Sequence, residues 1–289
     1  MKLYKILVAF ALLFSANSYS QNLNQSKMEK NLKSKTIIFI HGLFVNNESW
    51  KEWKTLFESE GYTCYTPVNP KHDGKPNKLR LNPPQGLEDV SFEDWLLNLE
   101  KLIDTLPEKP ILIGHSFGGL AAQKLVELGK AEAAVLISSA PPKGTLSFKP
   151  SFWKANNKSL NFFKGRSIFN PDTEKYKKWF HYAFANTLSR EESDIAFDQY
   201  AVPESRRTHR AALKKITKID IKKPHAPLLF LGGTDDVIVP NKLVRKNIKQ
   251  YRNQESIVDS KFFEGKDHFI CGADGWEQVA KFALEWLNN

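Results

Sequence analysis

Five short apolar runs, at residues 36–40, 62–66, 110–113, 134–138 and 227–231, are rich in β-branched side chains and bounded by turn residues, and a weaker one lies at 261–264. Continuous runs of this length suit strands buried on both faces of a parallel sheet. Between them the apolar positions recur with a helical period. Phe92, Trp95, Leu96, Leu99, Leu102, Ile103 and Leu106 share one face, as do Trp276, Val279, Phe282, Ala283, Trp286 and Leu287. Strands alternating with helices predict an α/β fold: a doubly wound, mostly parallel sheet flanked by helices.

The alternation breaks once. Residues 145–223 carry no convincing strand, many aromatics and several helix starts, among them a capping box at Ser189 and Glu192 and a start at Pro171-Asp172. A segment of about eighty residues is too long for a plain loop and reads as a helical cap or lid inserted into the core, which occupies 35–144 and 224–289. The N-terminus has its own pattern. Lys2 and Lys5 precede an apolar stretch from Ile6 to Phe14, and Ser18 and Ser20 suit a cut before Gln21. This predicts a signal peptide over 1–20 and export to the periplasm or medium, because so short a stretch falls well below the roughly 20 residues that span a bilayer. Residues 21–34, polar and rich in Asn, Ser and Lys, read as a disordered lead-in.

Composition changes this picture in one respect. A chain of 289 residues with 41% hydrophobic and 26% charged residues is an ordinary globular protein, but its net charge is +10. Residues 141–223 hold 18 Lys and Arg against 8 Asp and Glu, so the insert carries the whole surplus. Its basic stretches (175–178, 206–210 and 214–223) interleave with Tyr176, Trp179 and Phe180, which raises base stacking as a possibility. The preferred reading makes these aromatics the apolar underside of solvated helices, and no nucleic-acid partner is expected. Cys64 and Cys271 read as two buried thiols in preference to a disulfide. No cluster of Cys and His suggests a catalytic metal, and no cofactor is expected.

The candidate chemistry centres on Gly114-His115-Ser116-Phe117-Gly118. An apolar strand precedes this G-x-S-x-G and a helix follows it from Leu120, so Ser116 falls on a tight strand-to-helix turn. A serine hydroxyl needs a base, and the base an orienting acid. In this fold class the chain order is serine, acid, histidine, and among the histidines after Ser116 only His268 lies beyond a strand-end carboxylate. That carboxylate is Asp235 or Asp236; Asp236 is preferred for its spacing from Gly232-Gly233 and for the Val-Ile-Val-Pro that follows. The oxyanion amides are assigned to Phe117 and, from the turn after the first strand, Leu43. His41 is expected to brace that turn.

Together these residues resemble the α/β-hydrolase superfamily over essentially the whole chain from Lys35; Ala140-Pro141-Pro142 after the fourth strand and an aromatic cap ending in Val202-Pro203-Glu204-Ser205 more narrowly resemble its esterase, lysophospholipase and non-haem haloperoxidase-like branch. The resemblance implies a catalytic triad of Ser116 as nucleophile, Asp236 as acid and His268 as base, with Leu43 and Phe117 as the oxyanion hole. It implies a secreted serine hydrolase that cleaves a carboxylic ester or thioester. A serine at the elbow departs from the branches that place an aspartate there. Perhydrolase or lyase chemistry on the same fold, and a non-catalytic binding protein, stand as rival readings. The aromatic, basic cap predicts an apolar roof over Ser116, built from Phe148, Phe152, Trp153, Phe162, Phe163, Trp179, Phe180 and Phe184, and a small-molecule ester substrate of anionic or amphiphilic character.

Overall fold

The computed structural model describes residues 30–145, 147, 149–170 and 174–289. The signal-peptide segment, Phe148 and the helix start at Pro171-Asp172 therefore lie outside the described residues. The first part of the core runs β1 (Thr36–Ile40), α1 (Lys51–Ser59), β2 (Thr63–Tyr65), α2 (Pro76–Leu81), α3 (Phe92–Ile103), β3 (Ile111–His115), α4 (Phe117–Glu127) and β4 (Ala133–Ile137). The insert adds α5 (Pro150–Leu160), β5 (Ile168–Phe169), α6 (Glu174–Ala183), α7 (Arg190–Tyr200), β6 (Glu204–Ser205) and α8 (Arg206–Arg210). The core resumes with β7 (Leu228–Gly233), α9 (Asn241–Ile248), β8 (Val258–Phe263) and α10 (Trp276–Asn288).

Six strands form one sheet in the order β2-β1-β3-β4-β7-β8, and every neighbouring pair is parallel. Every residue of β1, β3, β4 and β7 is buried, as their unbroken apolar runs require. Alternate side chains serve opposite faces. Ile38, Ile40, Leu112 and Leu136 join the cluster that includes Trp95 of α3 and Leu120 of α4. Ile37, Phe39, Ile113 and Ile137 join Trp53 and Phe57 of α1 and Val279 of α10. Helices on both faces make the sheet doubly wound, and truncating one such Leu to Ala costs about 2–5 kcal/mol.

Cys64 and Cys271 are both buried and unjoined. Two expectations need correction. The lead-in does not run to residue 34, because Lys33 and Ser34 donate their amides to the Glu132 carboxylate at 2.8 and 2.7 Å, and Ser34 is buried. The insert is not purely helical either: β5 and β6 pair antiparallel, Ile168 with Ser205 and Phe169 with Glu204. A two-residue ladder is too short to leave a period in the sequence. The capping box at Ser189 and Glu192 opens α7.

Candidate active site

Ser116 lies between β3 and α4 with φ 54° and ψ −118°, a conformation that costs a non-glycine residue energy and that its surroundings must enforce. They do so through the backbone: Ser116 N–H donates to Ile137 O at 2.9 Å, and Ser116 O accepts from Ala140 and Leu120. The glycines of the motif are set by space. A Cβ on Gly114 would meet Gly118 O at 2.4 Å, and one on Gly118 would meet Ile40 O at 2.1 Å. Strand, turn and helix thus close against one another and against β1, raising the serine at the carboxyl end of the sheet.

The loops after β7 and β8 meet beside it. A Cβ on Gly233 would lie 2.0 Å from Lys266 O, so the glycine at the end of β7 lets the β8 loop settle on that strand. Asp236 is buried; its Oδ1 accepts the Val239 amide at 2.7 Å and its Oδ2 lies 2.7 Å from His268 Nδ1. Asp235 is exposed, its carboxylate 3.3 Å from the Thr234 hydroxyl. Of the two neighbouring carboxylates, only Asp236 meets the histidine. The His268 ring is wholly buried, and its Nε2 has no hydrogen-bond partner among the described residues.

Ser116 and His268 line one cavity of about 70 Å³, together with Leu43 and Phe117. Phe117 opens α4, where first-turn amides have no acceptor within their own helix. From the cap, Phe152, Trp153, Leu160, Phe184 and Leu213 complete the walls, with Ile238 and Val239 from the loop after β7. Among the described residues the lining contains no Asp, Glu, Lys or Arg. The aromatic roof needs correction accordingly. Phe152, Trp153 and Phe184 reach the cavity, Trp179 and Phe180 are buried within the cap, and Phe162 and Phe163 are exposed on its surface. Buried in this way, Trp179 and Phe180 are not open to stack on bases.

Four further residues support the site. His115, the second residue of the motif, donates from Nε2 to His268 O at 2.8 Å. Burial first, then the neighbouring His268, holds its pKa well below the usual histidine range, so it acts as a neutral donor. His41 hydrogen-bonds Gly42 O at 2.9 Å through Nδ1 and receives the Asn69 amide on Nε2, bracing the turn that carries Leu43. Its pKa is lowered to about 3, chiefly by burial and then by His72. Asp267 ties the histidine loop to the cap: its Oδ2 accepts Thr187 N–H and Oγ1–H, both at 2.8 Å, and its Oδ1 accepts Phe269 N–H at 2.9 Å. Burial raises its carboxyl above the ordinary range. His209, from the cap, lines the cavity between the rings of Phe44 and Phe117, each 5.7 Å away edge-on. Burial, then Arg206 and Arg210, lowers its pKa to about 3, and its Nδ1 is unpartnered among the described residues. Asp267 and His209 left no signal in the sequence beyond adjacency to His268 and a place in a basic stretch. His115 had one, as the variable position inside the serine motif.

No group of three or more His, Cys, Asp or Glu able to hold a metal occurs among the described residues. No described helix is long and apolar enough to cross a membrane.

Comparison with known proteins bears on this arrangement. The sequence profile of an alpha/beta hydrolase family matches residues 37–282. Polyneuridine aldehyde esterase of Rauvolfia serpentina is 30% identical over 130 residues, 44% of this chain and 47% of the relative. Methylesterase 4 of Arabidopsis thaliana is 33% identical over 110 residues, 38% of this chain and 40% of the relative. The chain thus spans less than half the length of either. The solved monoacylglycerol lipase of Paleococcus ferrophilus superposes with a TM-score of 0.62 at 22% identity, covering 87% of this chain and 93% of that one. At that identity the likeness speaks for the fold alone.

Proposed function

For a chain that belongs to the alpha/beta hydrolase family, we propose a serine esterase that cleaves carboxylic esters or thioesters through an acyl-enzyme on Ser116. The observation that carries this reading is the Asp236–His268 contact of 2.7 Å, with the unpartnered His268 Nε2 in the same cavity as Ser116. Asp236 accepts the hydrogen bond from Nδ1–H and so fixes the tautomer whose Nε2 is a base. Nε2 takes the Ser116 proton as Oγ attacks the carbonyl carbon. The Leu43 and Phe117 amides receive the developing oxyanion. The imidazolium then protonates the leaving alcohol or thiol, and water deacylates the enzyme by the same route in reverse.

The cavity walls favour an apolar, uncharged acyl part, since no carboxylate, ammonium or guanidinium of a described residue lines them. Any anionic part of the substrate belongs at the mouth. Export through the signal-peptide pattern of residues 1–20 is part of the proposal. The test is Ser116→Ala, assayed on a panel of p-nitrophenyl esters of rising chain length. The expected result is a loss of kcat beyond about 10³-fold with an unchanged circular dichroism spectrum. A folded variant that keeps more activity than this removes Ser116 from the role.

A further inference from the structure

We propose that one half of the cap is a docking surface for anionic lipid bilayers, from which the cavity beside it takes its ester substrate. The charge of the cap is divided along the chain. Residues 145–171 hold five Lys and Arg and no acid, and residues 205–219 another six and no acid. Residues 172–204 between them hold seven acids against four bases. The two acid-free segments are joined in space. Arg206 donates to Ser159 O at 2.7 Å and to Lys158 O, and Arg210 donates to Leu160 O at 2.6 Å and to the carbonyls of Asn161 and Gly165. α5, α8 and the turns after them thus form one cationic body.

That body displays apolar side chains that a solvated lid does not need. Phe163 is fully exposed, and Phe162, Trp153 and Leu213 are 59%, 40% and 37% exposed. No other Phe or Trp among the described residues is exposed. The turn bearing Phe162 and Phe163 is built: Arg210 holds the carbonyls on either side of it and lies 5.9 Å from the Phe162 ring. In the same two segments Lys149, Lys154, Lys164, Lys214 and Lys215 are exposed and form no ion pair with any described residue, Lys154 lying 4.0 Å over the Tyr182 ring. Trp153 and Leu213 also line the cavity, so the patch runs to its mouth. Exposed aromatic side chains on a body whose lysines have no carboxylate partner match the interface of an anionic bilayer, where apolar rings enter the acyl boundary and cations meet the headgroups. A nucleic acid would leave the apolar mouth without a partner.

The inference rests on the proposed esterase for its substrate, but the docking itself is measured without turnover. The full chain carrying Ser116→Ala is sedimented with phosphatidylcholine vesicles, with vesicles containing phosphatidylglycerol, and mixed with a single-stranded oligonucleotide, at low and high salt. The expected result is binding to phosphatidylglycerol vesicles that weakens as salt rises, and that falls at least about tenfold when Phe162→Ser and Phe163→Ser are added. In the Ser116 background, the two Phe changes leave turnover of a water-soluble short ester as in wild type, which separates docking from folding and from catalysis. Absent or charge-independent vesicle binding, binding that ignores the two Phe changes, or tighter binding to the oligonucleotide would overturn the docking surface while leaving the esterase reading intact. Vesicle binding by a protein that turns over no ester would retain the surface and remove the esterase.

Discussion

In the sheet, four neighbouring strands bury every side chain they carry, and apolar helices close both faces. In the cap the main-chain ladder is two residues long, and guanidinium groups satisfy backbone carbonyls: Arg206 and Arg210 hold the end of α5. The cap meets the core partly through buried polar contacts. His72 sits with Nδ1 3.0 Å from Pro70 O and Nε2 3.0 Å from Pro203 O, an arrangement that favours the ring protonated on both nitrogens. Glu204 of the cap, 3.3 Å away, is its counter-ion. The difference separates two tasks. An apolar framework with one close-packed solution holds Ser116, Asp236 and His268, while a polar, charge-divided cap surrounds them with walls and a mouth. Changes in the two regions should therefore have different signatures.

The largest effect is expected at the framework. Asp236→Asn should lower kcat by on the order of 10⁴, because an amide there favours the wrong imidazole tautomer, and Asp235→Asn should have little effect. Steady-state kinetics of the two variants decide the matter. A reversed ranking moves the acid to Asp235, and two mild effects exclude both.

A change at the cap–core tether should instead appear as lost stability. Glu204→Gln removes the carboxylate that favours the charged His72 ring and should cost roughly 1–3 kcal/mol in denaturant unfolding below about pH 6.5. It should also remove a pH dependence. Burial alone would lower the His72 pKa, but the Glu204 carboxylate outweighs it and raises the value above 6.5. A raised folded-state pKa gives stabilisation that is complete below the unfolded value of about 6.5 and is lost as pH rises through the folded one. Wild type should therefore lose this increment as pH rises above about 6.5, and the variant should show no such slope. Identical pH profiles would sever the tether argument.

The contrast also explains what could be read in advance. Runs such as Thr36–Ile40 announce buried strands because a fully enclosed strand tolerates only apolar residues, and β1 matches its run residue for residue. The serine motif, Asp236 and His268 were legible for the same reason: each follows a strand whose end can be located. Asp267 and His209 were not, since the role of each depends on how a cap segment folds onto the core. Phe162 and Phe163 were expected in the roof on hydrophobicity alone. They lie outside it because the turn that carries them is held by Arg210 and not by packing. Composition places aromatic residues in a segment but says nothing of which face they take.

The smallest effect concerns the field of the cap. For matched neutral and anionic esters, kcat/KM of the anionic member should fall a few-fold as salt rises from 0.01 to 1 M, where the screening length shrinks from about 30 Å to about 3 Å. The neutral ester should hardly respond. Equal responses would mean that the charge of residues 141–223 does not steer substrate.

The most direct test of the central claim is the site at which a fluorophosphonate attaches. The account predicts a single adduct, mapped by peptide mass spectrometry to Ser116, formed rapidly by wild type and Asp235→Asn, slowly by Asp236→Asn, and not at all by Ser116→Ala. An adduct on any other residue, or a folded wild-type protein that takes none, would contradict it.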